Sequence, residues 1–302
     1  MGIKRLFSGL IVFILILMLI FYWFIPFEKI EFVLEGESSN FSLYSIGEDM
    51  QFYSNMRFPN RDISYKIYDC TLKKQEDMNL AFDIIEDETS LSFFPVFDKE
   101  DISVNCNDKN KMEEGMFIAG EGGPTNIIQN KNFNIISKGS IILIKDSNCP
   151  KPNIALHELL HVLGFNHSNN ENNIMYYITD CKQTLGDIPE VINKIYSIKN
   201  ISDLEIENLS AIMNGKYLDS NISIRNNGLV SSDKFNLKIY SEDTEIKNIE
   251  IDSIKAGEGI EISLTNVWVS KLNIKELMFL IDSDFEELDK ENNKKILQIK
   301  EN

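Results

Sequence analysis

The sequence predicts an α+β protein in three parts: one transmembrane helix, a domain of mixed strands and helices, and an all-β sandwich. Three observations carry this. No charged residue occurs from Leu6 to Ile25. Strand-period and helix-period runs alternate between residues 56 and 200, an α/β layer pattern. After about Asn200 only short strand-period runs remain, punctuated by NNG, SSD, AGEG and ENN. The implied division is a tail at 1–5, a membrane span at 6–25, a stalk at 26–55, the mixed domain at 56–200 and the sandwich at 201–302.

The apolar segment comes first. At 1.5 Å per residue, the stretch from Leu6 to Ile25 reaches about 30 Å, the thickness of a bilayer's hydrocarbon core. A cleavable signal peptide is the competing reading. Its apolar region runs about 7–15 residues before small residues at a cleavage site. Here FYWFIPFEKIEF follows, bulky throughout, so an uncleaved anchor is expected. Lys4 and Arg5 would stay in the cytoplasm, Tyr22 and Trp23 would sit at the interface, and the chain after Pro26 would lie outside the cell membrane. The formal net charge of -17 argues against nucleic acid as a partner. It suits an extracellular surface, and serves ordinary solubility equally well. The four cysteines, Cys70, Cys106, Cys149 and Cys181, all fall on the exported side, where disulfides persist. Four cysteines allow three pairings, and the residues alone do not choose.

Along the mixed domain, DISYKIYDC alternates as a strand. Met78, Ala81, Phe82 and Ile85 recur at helical spacing, so a helix is expected from about Gln75 to Glu86. LSFFPVF and DISVNC read as short strands, GMFIAGEGGP as a strand running into a glycine turn, and GSIILIKD as a buried strand. A second helix carries IALHELLHVL, with Asn153 as the expected N-cap and Gly164 as its stop.

All three histidines of the chain lie in that helix and just beyond it, within HELLHVLGFNH, residues 157–167. His157 and His161, four apart, share one helix face a turn apart, so each can direct a nitrogen at a common point about 2.0–2.1 Å away, which is zinc geometry. Gly164 turns the chain so that His167 can return as third ligand. Glu158 neighbours the first ligand without being one, placed to take a proton from a zinc-bound water. A structural zinc usually fills all four positions with protein ligands, and no further histidine or nearby cysteine pair is available. One catalytic Zn2+ is the better expectation.

HELLHVLGFNHS followed by NNIMYY resembles the metzincin metallopeptidases, whose signature joins the long zinc motif to a downstream methionine turn. Met175 would be the turn methionine. Ser168 after the third histidine, and the helix and strand around Met78 to LSFFPV, make the matrixins the nearest group. The resemblance covers roughly residues 56–200 and is sharp from Ala155 to Tyr177. It implies a mostly parallel sheet with one antiparallel edge strand along a peptide-binding cleft, for which GMFIAGEG at 115–122 is the candidate. It also implies a Cys70–Cys106 pair, with Cys149 and Cys181 bracketing the zinc helix and methionine turn. Tyr177, two after Met175, matches a tyrosine that binds zinc or steadies the transition state in the astacin and serralysin groups; a packing role is equally open. The chain departs from the matrixins in having no histidines left for a second zinc, no recognisable calcium loops, and no zinc-blocking cysteine ahead of the domain.

Residues 202–302 resemble the CARDB type of immunoglobulin-like module in SDLEIENLS…ISIRNNG, IDSIKAGEGIEISLTNVW and IDSDFEELDKENNKKILQI. Asp282, Asp284, Glu286 and Glu287 have the chemistry of a Ca2+ site, but such runs are more often solvated turns and calcium is not indicated. The expected function is a membrane-anchored, extracellular zinc endopeptidase acting on proteins or peptides. The alternative is a cell-surface adhesion protein using the same fold without catalysis; the intact Glu158 favours the first.

Overall fold

A computed structural model describes residues 3–24, 29–34, 42–107, 111–113, 116–147, 149–270 and 274–300. In chain order the elements are α1 (Ile3–Phe24), β1 (Lys29–Leu34), β2 (Met56–Arg57), β3 (Asp62–Ile67), α2 (Leu72–Glu88), β4 (Ser92–Pro95), β5 (Ile102–Cys106), β6 (Lys111–Glu113), β7 (Met116–Ile118), β8 (Gly120–Gln129), β9 (Asn134–Leu143), α3 (Asn153–Val162) and α4 (Ile188–Tyr196). The second domain adds β10 (Leu204–Asn214), β11 (Tyr217–Asn226), β12 (Phe235–Ser241), β13 (Thr244–Ile251), β14 (Gly259–Trp268), β15 (Glu276–Asp282) and β16 (Lys294–Ile299).

Among the described residues no helix is long and apolar enough to cross a membrane. The side chains of α1 are described only at 7–20, about 21 Å of helix.

In the six-stranded sheet of the first domain β3 pairs in parallel with β4 and β5, β5 with β9, and β2 with the start of β9; of its strands β8 alone runs antiparallel, along the outer side of β9. One apolar layer joins sheet and helices: Met78, Ala81, Phe82 and Ile85 from α2, Leu156, Leu159 and Leu160 from α3, and Ile102, Val104, Ile141 and Leu143 from the sheet. Helix α2 begins earlier than its periodicity indicates because Thr71 caps it, its side chain accepting from the Lys74 N–H. Helix α4, which the sequence reading lacked, seals the bottom through Ile188, Ile192 and Ile195.

Four expectations change. Of the segment expected as a stalk, the described residues 29–34 and 42–55 are built into the two domains. Strand β1 pairs with β10 at Lys29–Glu31 and with β16 at Phe32–Leu34, crossing between the two halves of the sandwich. Ile46 joins the first core, while Gln51 and Asn55 are buried in hydrogen bonds to Met56 and Asn132. The edge strand is residues 120–129, so it shares only 120–122 with the expected 115–122; residues 116–118 pair instead with β6, and residue 115 lies outside the described residues. The expected glycine turn is therefore strand. Asn153 is the first helical residue rather than the cap, and its amide donates to the Asp180 carbonyl at 2.6 Å, while Pro152 holds the cap position.

The sandwich packs β10, β11 and β14 against β12, β13, β15 and β16 around Leu204, Ile206, Ile222, Leu237, Phe279 and Leu297. One end meets the first domain. The Asn130–Phe133 turn fits against it: Asn132 donates to the Asp203 carboxylate (2.9 Å), Asn130 to the Gly228 carbonyl (2.9 Å), and Lys131 pairs with Glu205 (2.9 Å). Phe133, Ile135 and Leu229 close an apolar patch beneath. The acidic run is not a solvated turn throughout. Glu287 is buried, accepting from the Leu204 N–H and from Asn293, and Glu286 pairs with Lys199.

Burial pushes the Asp203 carboxyl up from 3.8 to about 6, against hydrogen bonds from Asn292 and Asp289 that pull it down. An acid whose folded pKa is raised favours the folded state most when protonated. Its contribution is greatest below the unfolded value and is lost as pH rises through the folded one, up to about 3 kcal/mol. Asp203→Asn is therefore expected to gain stability on the wild type between pH 4 and pH 7. Denaturant midpoints that stay a fixed distance apart across that range would show the carboxyl to be ionised throughout.

Candidate metal centre

Helix α3 and the turn after it converge three imidazoles. The helix ends in a Schellman turn: the Gly164 N–H donates to the His161 carbonyl and the Phe165 N–H to the Leu160 carbonyl, both at 3.0 Å, with Gly164 at φ +97°. The His161 Nδ1 lies 2.8 Å from the Phe165 carbonyl, and the His157 Nδ1 lies 2.7 Å from the Ile174 carbonyl. A carbonyl only accepts, so each Nδ1 carries the proton and each Nε2 presents a lone pair. Those lone pairs face the His167 Nε2, 3.3 Å from that of His157 and 3.2 Å from that of His161.

The three nitrogens could hold one metal ion. Four ligands about 2.0–2.1 Å from a tetrahedral zinc are separated by about 3.3 Å, and the His167 Nε2 stands at that spacing from each of the other two. Burial holds all three imidazoles below the ordinary histidine value, His161 down to about 3, so they stand as neutral ligands. A protonated ring would offer no lone pair to a metal.

Glu158 is buried beside the first imidazole, 6% exposed. Burial, helped by the Glu121 carboxylate, pushes its carboxyl up to about 8. The edge strand lies directly on it. A Cβ at Gly120 would come within 2.7 Å of the Glu158 Cγ, and one at Gly122 within 2.2 Å of the Glu158 carbonyl oxygen. Gly120 and Gly122 are therefore what let β8 run flat against α3.

Met175 is buried at 1% exposure and shares a small cavity with His167. Its carbonyl accepts from the Ser168 N–H (2.9 Å), tying its turn to the third histidine's loop. Tyr177 is 56% exposed, and its hydroxyl accepts from Tyr176 at 3.2 Å. The disulfides are Cys70–Cys106 and Cys149–Cys181, the pairing that the resemblance implies. The second joins the approach to α3 to the segment after the methionine turn.

One contributor escaped the sequence reading. Phe52 stacks on His161, ring centroids 5.8 Å apart and 23° from parallel, and its N–H donates to the Gly164 carbonyl (2.9 Å). IGEDMQFYSNM has no period that flags an aromatic for this place.

A parallel sheet with one antiparallel edge strand, beside a helix that presents converging histidines, defines a metalloprotease-like fold. Residues 57–196 match the matrixin family and residues 201–296 the CARDB family, so the chain joins a matrixin-like metzincin domain to a CARDB module. A search of curated proteins finds no match. Among solved structures, a Methanosarcina acetivorans domain (residues 272–376) assigned to a cell surface protein is 16% identical; the alignment covers 33% of this chain and 91% of that one, with a TM-score of 0.28. High choriolytic enzyme 1, a hatching enzyme zinc-protease of the medaka fish Oryzias latipes, is 20% identical over 35% of this chain and 44% of its own, with a TM-score of 0.24. Both likenesses are too slight to carry a functional argument.

Proposed function

We propose that the protein is a zinc-dependent endopeptidase, held by its N-terminal helix in the cell membrane with its other domains outside. The observation that carries this reading is the convergence of the His157 and His161 Nε2 lone pairs on the His167 Nε2, from 3.3 and 3.2 Å, next to a buried, non-ligating carboxyl. His157, His161 and His167 hold one zinc ion. Bound there, zinc would polarise a substrate carbonyl and lower the pKa of a water molecule. Glu158 takes a proton from the attacking water and returns it to the leaving amine nitrogen, a task suited to a carboxyl whose pKa lies near neutrality. A substrate peptide adds to the outer edge of β8 through backbone hydrogen bonds. Tyr177 steadies the reacting carbonyl; an unchanged kcat in Tyr177→Phe would leave it a packing residue.

The test is hydrolysis of casein and of a peptide library by wild type and Glu158→Ala, each with and without a chelator. Loss of a general acid–base group lowers turnover by about 10²–10⁴-fold, and chelation is expected to silence the wild type. Equal cleavage by both proteins would refute the mechanism. Bound peptide with no cleavage by wild type would favour the adhesion reading.

A further inference from the structure

We propose that the end of the sandwich carrying Tyr217 and Trp268 rests on the surface of the lipid bilayer, so that the module holds the peptidase domain at a fixed height. This inference rests on the anchor reading above. Its geometry comes from β1. The strand begins at Lys29, five peptide steps after α1 ends at Phe24, which caps the separation at about 18 Å. Lys29 pairs with Asn214, the last residue of β10, beside the turn that leads into β11. Whatever holds α1 therefore holds this end of the sandwich close by.

Tyr217 and Trp268 occupy that end. They pair directly across β11 and β14, their rings 5.5 Å apart, and stand 45% and 52% exposed. Beyond residue 200 they are the large apolar side chains left exposed among the described residues. Tyrosine and tryptophan concentrate at membrane–water interfaces because each joins an apolar ring to a polar tip. The Lys216 Nζ lies 5.1 Å from the Trp268 ring, and lysine can bury its stem while keeping its charge at headgroup level. Glu242 and Asp243, in the turn between β12 and β13, lie at the same end on the opposite sheet, so the contact falls on the β11–β14 side.

The opposite end of the sandwich receives the first domain, where Asp203 and Gly228 meet the Asn130–Asn132 turn. Between the two ends β10 runs from Leu204 to Asn214, about 35 Å of strand. With both ends engaged, substrates that reach the histidine cluster are those standing well clear of the lipid surface.

The chain has two tryptophans, Trp23 and Trp268, so Trp23→Phe leaves Trp268 as the sole reporter. The full-length variant is reconstituted into phosphatidylcholine nanodiscs carrying nitroxide lipids, labelled at the headgroup or at mid-chain. Trp268 emission is expected to fall with the headgroup label and to resist the mid-chain label. The companion Trp268→Phe protein reports on Trp23 alone, which the anchor reading requires to be quenched. Trp23 quenched with Trp268 untouched by either label would overturn the surface contact and leave the anchor standing. Neither tryptophan quenched would overturn both.

Discussion

Zinc returned to chelator-stripped protein is expected to raise the unfolding midpoint of the first domain by roughly 10 °C, and the His161→Ala variant is expected to show no such rise. The size follows from linkage. An ion present at a thousand times its dissociation constant stabilises the folded state by about 4 kcal/mol, and a domain of this size gains about 2–4 °C per kcal/mol. The direction follows from the site. Carbonyl contacts at Phe165 and Ile174 fix the protons of His161 and His157 on Nδ1, so their Nε2 lone pairs point at the His167 Nε2 from 3.2 and 3.3 Å. Burial holds His161 down to about 3, so at neutral pH no proton relieves that crowding. A shared cation does, and satisfies buried nitrogens that otherwise stand desolvated. Removing one imidazole leaves two ligands, too few for tight zinc binding. Differential scanning calorimetry of both proteins, with and without metal, measures the effect. A rise of the same size in His161→Ala would place the bound ion elsewhere.

The centre was legible because its geometry is local. His157 and His161 stand four positions apart, and Gly164 follows at the one place where a left-handed residue can close the helix; helix pitch and capping rules carry all of that from sequence into space. The disulfides were legible only through the family resemblance, since cysteine spacing alone permits three pairings. What stayed hidden depends on long-range packing. KIEFVL has modest strand character, and nothing local says that it pairs with β10 and β16, over 180 residues away in sequence. IGEDMQFYSNM looks polar and irregular, yet its amides Gln51 and Asn55 are buried, satisfied by the carbonyls of Met56 and Asn132, partners that no local period announces. GEGGP suggests a turn because glycine usually marks one. Here glycine answers a different demand, the close approach of two backbones.

That demand gives a sharp expectation for two neighbouring glycines. Gly122→Ala is expected to cost about 1–3 kcal/mol of stability, as overpacking does, and to lower kcat/KM by about 10²-fold, the effect of displacing a reacting group by some 1 Å. Gly123→Ala should leave both within experimental scatter. The two positions share a strand and a residue type, and differ in what lies opposite. The Gly122 Cβ would sit 2.2 Å from the Glu158 carbonyl oxygen, a helix backbone atom that cannot rotate away, whereas a Cβ at Gly123 meets nothing within 4 Å. Relief at Gly122 must come from shifting β8 away from α3, and β8 is both the proposed substrate edge and the wall against which Glu158 is packed. Gly120→Ala should fall between the two. Its clash is with the Glu158 side chain, at 2.7 Å from Cγ, which can move but only by abandoning its place beside the histidines. Steady-state kinetics and denaturant unfolding of the three variants test the ordering. Full activity in Gly122→Ala would mean that the strand and the carboxyl are not held together as described.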